Sequence, residues 1–249
     1  FNLFFPEKRD FFLRDSDIFQ FGRIGGLGGF GVGSGDTFSR SDVESAQPFF
    51  SRRIGLSATG QPVNLDMGGK LAGRVGNWNL GALAIRQAEF SGVEATDIFV
   101  GRVAANILAE STIGMIVTDG DPRSNLDNSL AGVDFRYSNT RLPGGRVIEA
   151  DAWYQQSDTE GIDGEDRALG FRIRSPNTTG LRGSFGAKEI GANFFPALGF
   201  VNRSGVRDHI FKLGYTHRPR EGSIRTVYSG LDAERIDLID GGLQTQVMT

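Results

Sequence analysis

The sequence contains no cysteine in its 249 residues, and it contains only two histidines. The absence of cysteine excludes a disulfide scaffold, a zinc knuckle and a cysteine nucleophile, although it does not identify a cellular compartment. His209 and His217 lie on one predicted strand, at a spacing that puts them about 26 Å apart in extended geometry. They are therefore too far apart to share one metal ion.

Long apolar runs, helical periodicity and charge of one sign are missing as well. No run approaches the roughly 20 apolar residues that a membrane helix needs, and no helical period of useful length occurs. The 27 basic and 30 acidic residues give a net charge of -3, and the basic residues are spread along the chain. The sequence therefore shows no footprint of a nucleic-acid-binding protein.

The feature that the sequence does show, from Phe49 onward, is a repeated alternation of apolar and polar residues. The clearest run is 147–157, where Ile148, Ala150, Ala152 and Tyr154 alternate with Glu149, Asp151, Trp153 and Gln155. Such alternation predicts β-strands, separated here by turn residues. The predicted strands are 49–57, 65–76, 78–88, 97–107, 111–118, 130–138, 147–157, 168–174, 180–189, 209–217, 223–234 and 241–249.

These runs fit two all-β folds, because a soluble sandwich and a wide membrane barrel give the same alternation. The sandwich turns its polar residues to water, whereas the barrel turns its apolar residues to lipid and its charges to a wet lumen. Three features favour an antiparallel transmembrane β-barrel: strands of about ten residues, links of alternating length, and aromatic residues near strand ends. The aromatic residues are Phe49, Trp78, Phe99, Tyr137, Tyr154 and Tyr215.

The lengths of the links predict a topology, since outer-membrane barrels have short periplasmic turns and longer outer loops. Short links are predicted near 77, 109–110, 176–178 and 219–221, and longer ones at 58–64, 88–96, 119–128, 158–165 and 190–205, with 139–146 as the exception. We predict a Phe- and Gly-rich segment, 1–48, on the periplasmic side or in the lumen, and barrel strands over 49–249. The chain begins without Met and ends inside a predicted strand, so we expect a piece of a longer protein.

Four strings resemble segments of one bacterial family. Phe5 to Leu13 is similar to its FPEKRPFFLE segment, and Pro48 to Leu56 is similar to its FYSRRIGL segment. Gly69 to Arg74 resembles its AKLTGR segment, and Asn193 to Val201 resembles its NFNPALGFV segment. The family is a group of large outer-membrane proteins in which a carbohydrate-binding-module-family-nine-like sandwich precedes a barrel domain of unknown function.

The resemblance implies an outer-membrane location and a barrel, with the sandwich and the last strands outside this chain. It carries over no catalytic residue, because none is established for the family. It implies a structural role for the matching motif residues, which are Phe5, Pro6, Glu7, Lys8, Arg9, Arg52, Arg53, Asn193, Pro196, Gly199 and Phe200. Since buried aromatic residues mostly serve packing, the segment from Phe5 to Phe12 is interpreted as a clasp at the periplasmic rim, with a plug or a partner-binding segment as alternatives.

A charged side chain is unstable in the hydrocarbon of a membrane, so the charged residues of alternating barrel strands must face the lumen. The charges with inward parity are Lys70, Arg74, Arg102, Asp134, Arg136, Glu149, Asp151, Arg172, Arg174 and Lys212. The residues of opposite parity, predicted to face lipid, include Val133, Phe135, Ile148, Ala150, Ala152, Leu169, Phe171, Ile173, Leu213 and Tyr215. Basic groups outnumber acidic ones in the inward set, which predicts mild anion selectivity or binding of acidic glycans.

The sequence thus predicts a pore or surface barrel that is not an enzyme and carries no cofactor. Its expected partners are membrane lipid, glycans or small anionic solutes, and other outer-membrane proteins, but not nucleic acid. Two other functions stay open: a structural scaffold of an outer-membrane assembly, and glycan hydrolysis by Glu149 and Asp151, which lie about 6.6–7 Å apart on one strand face. Asp119, Asp121 and Asp127 form an acidic loop that is a candidate for a hard-cation site, although ordinary turn chemistry also explains it.

Overall fold

Eleven strands, joined in sequence order, make up most of the described part of this protein. The computed structural model describes residues 7–24, 46–219, 221 and 223–248. Predictions for Phe5, for Pro6 and for the Gly-rich stretch 25–45 lie outside these residues. The strands are β1 (Leu65–Val75), β2 (Trp78–Gln87), β3 (Thr96–Ile107), β4 (Ser111–Asp119), β5 (Asn128–Leu142), β6 (Arg146–Thr159), β7 (Arg167–Ser175), β8 (Gly180–Ile190), β9 (Val206–His217), β10 (Val227–Leu238) and β11 (Leu243–Met248).

The strands form one antiparallel sheet in which each strand pairs with its neighbours in sequence. The prediction of an all-β, antiparallel fold is therefore confirmed. Within the described residues the edge strands β1 and β11 do not pair with each other, so the sheet is open and not closed into a barrel. The helices in this part of the chain, α1 (Asp10–Leu13) and two 3-10 turns at Ser16–Phe19 and Ser51–Arg53, are too short to cross a membrane.

The predicted strand at 49–57 is wrong. This stretch contains the 3-10 turn at Ser51–Arg53, and its backbone bonds to another loop instead of to a sheet neighbour. The Phe50 N–H donates to the carbonyl of Leu198 at 2.7 Å, and the side chain of Ile54 is fully buried. The alternation arises here because a loop packed between other loops also has a buried side and an exposed side.

The link between β5 and β6 is shorter than predicted, because both strands extend beyond their predicted bounds. Up to β9, the short links 76–77, 108–110, 143–145 and 176–179 alternate with the long links 88–95, 120–127, 160–166 and 191–205. The last two links reverse this order, since 218–226 is longer than 239–242. We refer to the two ends of the sheet as the short-link end and the long-link end, according to the links up to β9 that each carries.

The two faces of the sheet differ in chemistry. We define the inner face as the one against which residues 7–24 pack, and the outer face as the opposite one. All ten residues predicted to face lipid lie on the outer face by register, and Val133, Phe171 and Tyr215 are 50%, 47% and 53% exposed. Exposed apolar side chains on the outer face also include Leu71, Leu80, Val103, Met115, Phe135, Ile148, Leu169, Ile173, Phe185, Phe211, Leu213 and Leu231.

The hydrophobic core lies between the inner face and residues 7–24. The segment contributes Phe12, Ile18, Phe19, Phe21 and Ile24, and the sheet contributes Leu83, Ile85, Ile98, Val100, Ile116 and Leu130. Gly81 and Gly132 allow the close approach: a Cβ on Gly81 would lie 2.9 Å from Cγ2 of Ile18, and a Cβ on Gly132 would lie 2.9 Å from Cζ of Phe21. Glycine at these two strand positions thus makes room for the segment to cross the sheet.

Candidate functional site

The register places all ten predicted inward charges on the inner face. They are Lys70 and Arg74 on β1, Arg102 on β3, Asp134 and Arg136 on β5, Glu149 and Asp151 on β6, Arg172 and Arg174 on β7, and Lys212 on β9. Alternation in the sequence was sufficient to assign each of these charges to a face of the sheet. Side chains along a strand point alternately to the two faces, so a shift of one residue would move every side chain of the strand to the other face. The ten charges fall into three groups with different partners.

The first group fastens the N-terminal segment to β1. The ammonium group of Lys70 donates to the carbonyl of Phe11 at 2.6 Å and to the carbonyl of Arg14. Arg74 forms an ion pair of 3.1 Å with Asp17, with both side chains exposed. Lys70 therefore binds the backbone of the N-terminal segment, and Arg74 binds one of its side chains.

The second group is the buried ion pair of Arg102 and Asp134. The guanidinium and carboxylate groups approach to 2.6 Å, with side chains 4% and 8% exposed. Asp134 also accepts the backbone N–H of Gly22 at 3.1 Å, and the ring of Phe21 lies 5.5 Å from the Arg102 guanidinium. Breaking such a pair by removing one partner is strongly destabilising, because it leaves an uncompensated buried charge.

The third group, the arginine cluster, comprises Arg23, Arg136, Arg172 and Arg174 around Glu149 and Asp151. Arg23 binds Glu149 through Nη1 at 2.8 Å and Nη2 at 3.2 Å, and its Nε lies 3.2 Å from Asp151. Arg174 also binds Glu149, and Arg172 lies 3.5 Å from Asp151. No sequence pattern indicated Arg23, since it lies in a Gly-rich stretch 126 residues before Glu149.

Arg136 is the member of the cluster without a close partner. It lies directly opposite Asp151 in the β5–β6 ladder and is partly buried. It forms no hydrogen bond and no ion pair with the residues that the structure describes. Its cross-strand neighbour Asp151 instead lies within ion-pair distance of Arg23 and Arg172.

Further charges lie on the inner face of β8–β10, where the sequence prediction named only Lys212. Lys188 pairs with Asp208 at 3.0 Å, with side chains 13% and 3% exposed. Asp232 and Glu234 are also on this face, opposite Lys212 and Ile210. The same alternation could have found Lys188, Asp232 and Glu234, whereas Asp208 lies just before the predicted start of its strand.

A small cleft of about 60 Å³ separates the end of the N-terminal segment from β6–β9 on the inner face. Its charged walls are Arg23, Asp151, Arg172, Lys188 and Asp208, and its remaining lining includes Gly22, Ile24, Trp153, Gly170, Gly186 and Ile210. Arg23 and Arg172 of the arginine cluster thus line a cleft with room for a group of the size of a few water molecules.

The motif residues converge at the long-link end of the sheet. Arg9 binds the carboxylate of Glu7 at 2.7 Å and donates to the carbonyls of Ser51 at 2.9 Å and Ile54 at 2.8 Å. The Ser51 hydroxyl also donates to Glu7 at 2.8 Å. Partial burial opposes ionisation of Glu7, but hydrogen bonds from Arg9 and Ser51 and the positive charge of Arg9 outweigh it and lower the pKa to about 2.

The third motif segment joins the same cluster. Arg53 donates to the carbonyl of Gly199 at 2.6 Å, and Gln47 pairs with Phe200. A Cβ on Gly199 would lie 2.0 Å from the carbonyl oxygen of Gln47, so only glycine fits there. Asn193 caps a neighbouring link by donating to the carbonyl of Gly164 at 3.0 Å. The strings around Arg9, Arg53 and Phe200 are thus one contact surface in space, which the sequence alone could not reveal.

The three aspartates proposed as a cation site line one cleft at the long-link end, but their side chains point to different surroundings. Asp119 is exposed on the outer face at the end of β4, and Asp127 is exposed in the following link. Asp121 is buried and accepts the backbone N–H of Arg123 at 2.8 Å and the hydroxyl of Ser124 at 2.6 Å. Among the described residues no group of three His, Asp or Glu side chains could hold a metal ion. The acidic residues of this loop therefore follow turn chemistry.

Fixed charges are the chemistry that the inner face offers. Both oxygens of Glu149 accept hydrogen bonds from arginines, and both oxygens of Asp151 face guanidinium groups. Fixed charges along a wall can attract or select charged solutes. Comparison of the chain with protein-family models, with curated proteins and with solved structures finds no match.

Proposed function

We propose that this chain is part of a bacterial outer-membrane β-barrel whose outer face contacts lipid and whose inner face binds or conducts charged solutes. The observation that carries the proposal is the outer face, which exposes large apolar side chains on every strand from β1 to β10. A soluble protein rarely exposes a contiguous apolar patch of more than a few hundred Å². Lipid is the solvent in which such a face is stable.

The borders of the apolar face support a membrane position. Charged pairs occur on the outer face at the long-link end, where Arg86 binds Asp97 at 2.7 Å and Arg207 binds Glu189 at 2.6 Å. At the short-link end the outer face carries the aromatic residues Trp78 and Tyr215. Charges beyond an apolar band and aromatic residues at its edge are typical of barrels that cross a bilayer.

The location and the family are supported by different features. The alternation of short and long links up to β9 is typical of outer-membrane barrels. The family resemblance of three strings is consistent with their convergence around Arg9, Arg53 and Phe200. Closure of the sheet would then be completed by strands outside the described residues.

The lipid-facing proposal can be tested with single cysteines, because the chain has no native cysteine. Ala150→Cys lies on the outer face of β6, and Ser184→Cys lies on the inner face of β8, about one residue away along the ladder. Each variant is labelled with a small fluorophore and reconstituted into vesicles whose acyl chains carry bromine, which quenches fluorescence on contact. We expect strong quenching at position 150 and weak quenching at position 184. Equal quenching at both positions, or none at either, would contradict the proposal.

A scaffold is the second candidate, and it is favoured by one observation. Residues 7–24 cover much of the inner face, from Lys70 on β1 to Asp151 on β6. A barrel with a filled interior would pass no solute, and its function would then be to bind other outer-membrane proteins as a scaffold. Planar-bilayer recordings separate the two, since a stable ionic current indicates passage and a silent, correctly inserted protein indicates the scaffold. A glycan hydrolase is the least supported function, because Glu149 and Asp151 are both occupied by arginines.

A further inference from the structure

The arginine cluster has more positive than negative charge. It contains four guanidinium groups, from Arg23, Arg136, Arg172 and Arg174, and two carboxylates, from Glu149 and Asp151. The side chains of Arg23, Arg172 and Arg174 are 16%, 24% and 18% exposed. The cluster is thus shielded from bulk water, and like charges repel more strongly there than on an open surface.

Both carboxylates already face arginines, although the two oxygens of Asp151 form no hydrogen bond among the described residues. Glu149 binds Arg23 and Arg174, and Asp151 is shared by Arg23 and Arg172. Arg136, beside Asp151 in the ladder, has no hydrogen bond or ion pair among the described residues. The Nε atom of Arg172 is likewise buried with no hydrogen-bond acceptor in this part of the chain. Hydrogen-bond donors of Arg136 and Arg172 therefore remain without an acceptor, beside the equally unbonded oxygens of Asp151, at a site with four guanidinium groups and two carboxylates.

An oxyanion would bring both negative charge and hydrogen-bond acceptors to this site. Guanidinium groups present N–H donors in a planar fork that matches the oxygens of carboxylate and phosphate groups. Arg23 and Arg172 line the small cleft of about 60 Å³, whose walls also include Trp153 and the ion pair of Lys188 and Asp208. An oxyanion group of a solute could therefore lie among the arginines at this cleft.

We propose that the arginine cluster is a binding site for a small solute that carries a carboxylate or phosphate group, with Arg136 as the residue whose hydrogen-bond donors are left for the solute. The inference rests on the proposed function, because a solute reaches the inner face only if that face is accessible from water. It refines the predicted anion preference, since Arg172 and Arg174 form ion pairs within the protein and Arg136 forms none among the described residues. The site takes no part in any bond-making step.

The test compares the thermal unfolding of three purified full-length proteins in detergent: the wild type, Arg136→Gln and the control Arg207→Gln. Arg207 lies on the outer face and is 52% exposed. Inorganic phosphate and galacturonate are each titrated against sodium chloride at equal ionic strength. Phosphate also stabilises proteins in general through exclusion from their surface, so the difference between the variants is the result that counts.

We expect phosphate, galacturonate or both to raise the melting temperature of the wild type and of Arg207→Gln in a saturable way. In Arg136→Gln the apparent affinity should fall by about tenfold or more, as for the loss of a charge-assisted hydrogen-bonding group. The phosphate and galacturonate arms distinguish a phosphate ligand from a carboxylate ligand. An equal response of all three proteins, or no response beyond sodium chloride, would overturn the inference.

A second measurement keeps the test valid if the variant behaves differently without ligand. Removing an uncompensated charge should leave Arg136→Gln at least as stable as the wild type in sodium chloride, because repulsion within the cluster falls. A large loss of stability in sodium chloride would show that Arg136 is held by a structural contact and would also overturn the inference. The quenching experiment at positions 150 and 184 does not involve the cluster, so a failure of the membrane proposal is seen separately.

Discussion

At the scale of single residues, Glu7 illustrates how one ionised group ties distant segments together. Its carboxylate accepts hydrogen bonds from Arg9 and Ser51, and Arg9 continues to the backbone of Ile54. The sequence stretch around Glu7 is thereby joined to the stretch that leads into β1. Hydrogen bonds to charged groups are the stronger ones in proteins, at about 1.5–3 kcal/mol each in net terms.

The pH dependence of this contact is a direct prediction. The pKa of Glu7 is about 2 in the folded protein against 4.5 as the ordinary value, so its contribution to stability is fully present above about pH 4.5. It is lost as the pH falls from 4.5 towards 2. We expect Glu7→Gln to lower the free energy of unfolding by about 1–3 kcal/mol at pH 7, measured by urea unfolding in detergent.

Glu7→Gln also shows whether ionisation of Glu7 is what stabilises the contact. The difference in unfolding free energy between the wild type and Glu7→Gln should shrink below pH 4.5 and vanish near pH 2. Glu160→Gln, which changes an exposed carboxyl group in the link after β6, should show no comparable difference at any pH. A difference for Glu7→Gln that is independent of pH would mean that its ionisation is not what stabilises the contact.

At the scale of strands, the two faces follow from alternation, and a single arginine can test them. Ala150 lies on the outer face in the middle of β6, whereas Ser129 lies on the outer face at the long-link end, opposite Asp119 and Asp158. We expect Ala150→Arg to cost about 2–4 kcal/mol in folding into lipid vesicles if the position is near the bilayer midplane. Ser129→Arg should cost little, because it meets two carboxylates outside the apolar band. Equal costs for both variants would contradict the assigned membrane position.

The crossing of the N-terminal segment over the sheet gives a second prediction at this scale. Valine at Gly132 would place methyl groups against the ring of Phe21, and overpacking of this kind typically costs about 1–3 kcal/mol. We expect Gly132→Val to lower the unfolding free energy and to expose residues 7–24 to limited proteolysis. The matched control is Gly73→Val on β1, where a Cβ would meet nothing within 4 Å. Similar proteolysis of the two variants would show that the segment does not depend on this contact.

The strands and their faces were predictable from the sequence because alternation is a local pattern. The end of β5 and the start of β6 were missed, since Thr140 and Arg146 are polar and face water near a turn. The stretch around Phe50 was mistaken for a strand, because its partner is a loop about 150 residues away and no local pattern reports that. Arg23 was missed for the same reason. Residues that act through distant partners cannot be recognised from their own neighbours in the sequence.

At the scale of the whole molecule, the charges of the inner face determine which ions would pass an open interior. Under a salt gradient across a planar bilayer, we expect the sign of the reversal potential to indicate selectivity for anions. This selectivity should weaken at high salt, because screening shortens the reach of the fixed charges. Replacing Arg172 and Arg174 together by Gln should move the selectivity towards cations, because Asp151 and Glu149 stay in place. The control is Arg207→Gln on the outer face. An unchanged reversal potential with intact conductance would mean that these arginines do not line the path.

The strand order β1 to β11 also has a consequence for the time course of folding. Each strand can pair with the one made just before it, so hairpins close small loops and need little chain entropy at each step. Residues 7–24 are different, because Arg23 must wait for Glu149, and Arg9 and Arg53 must wait for the loops that they bind. Contacts of such large sequence separation form slowly. Residues 7–24 are therefore among the last to reach their place, and until then their phenylalanines are exposed to aggregation.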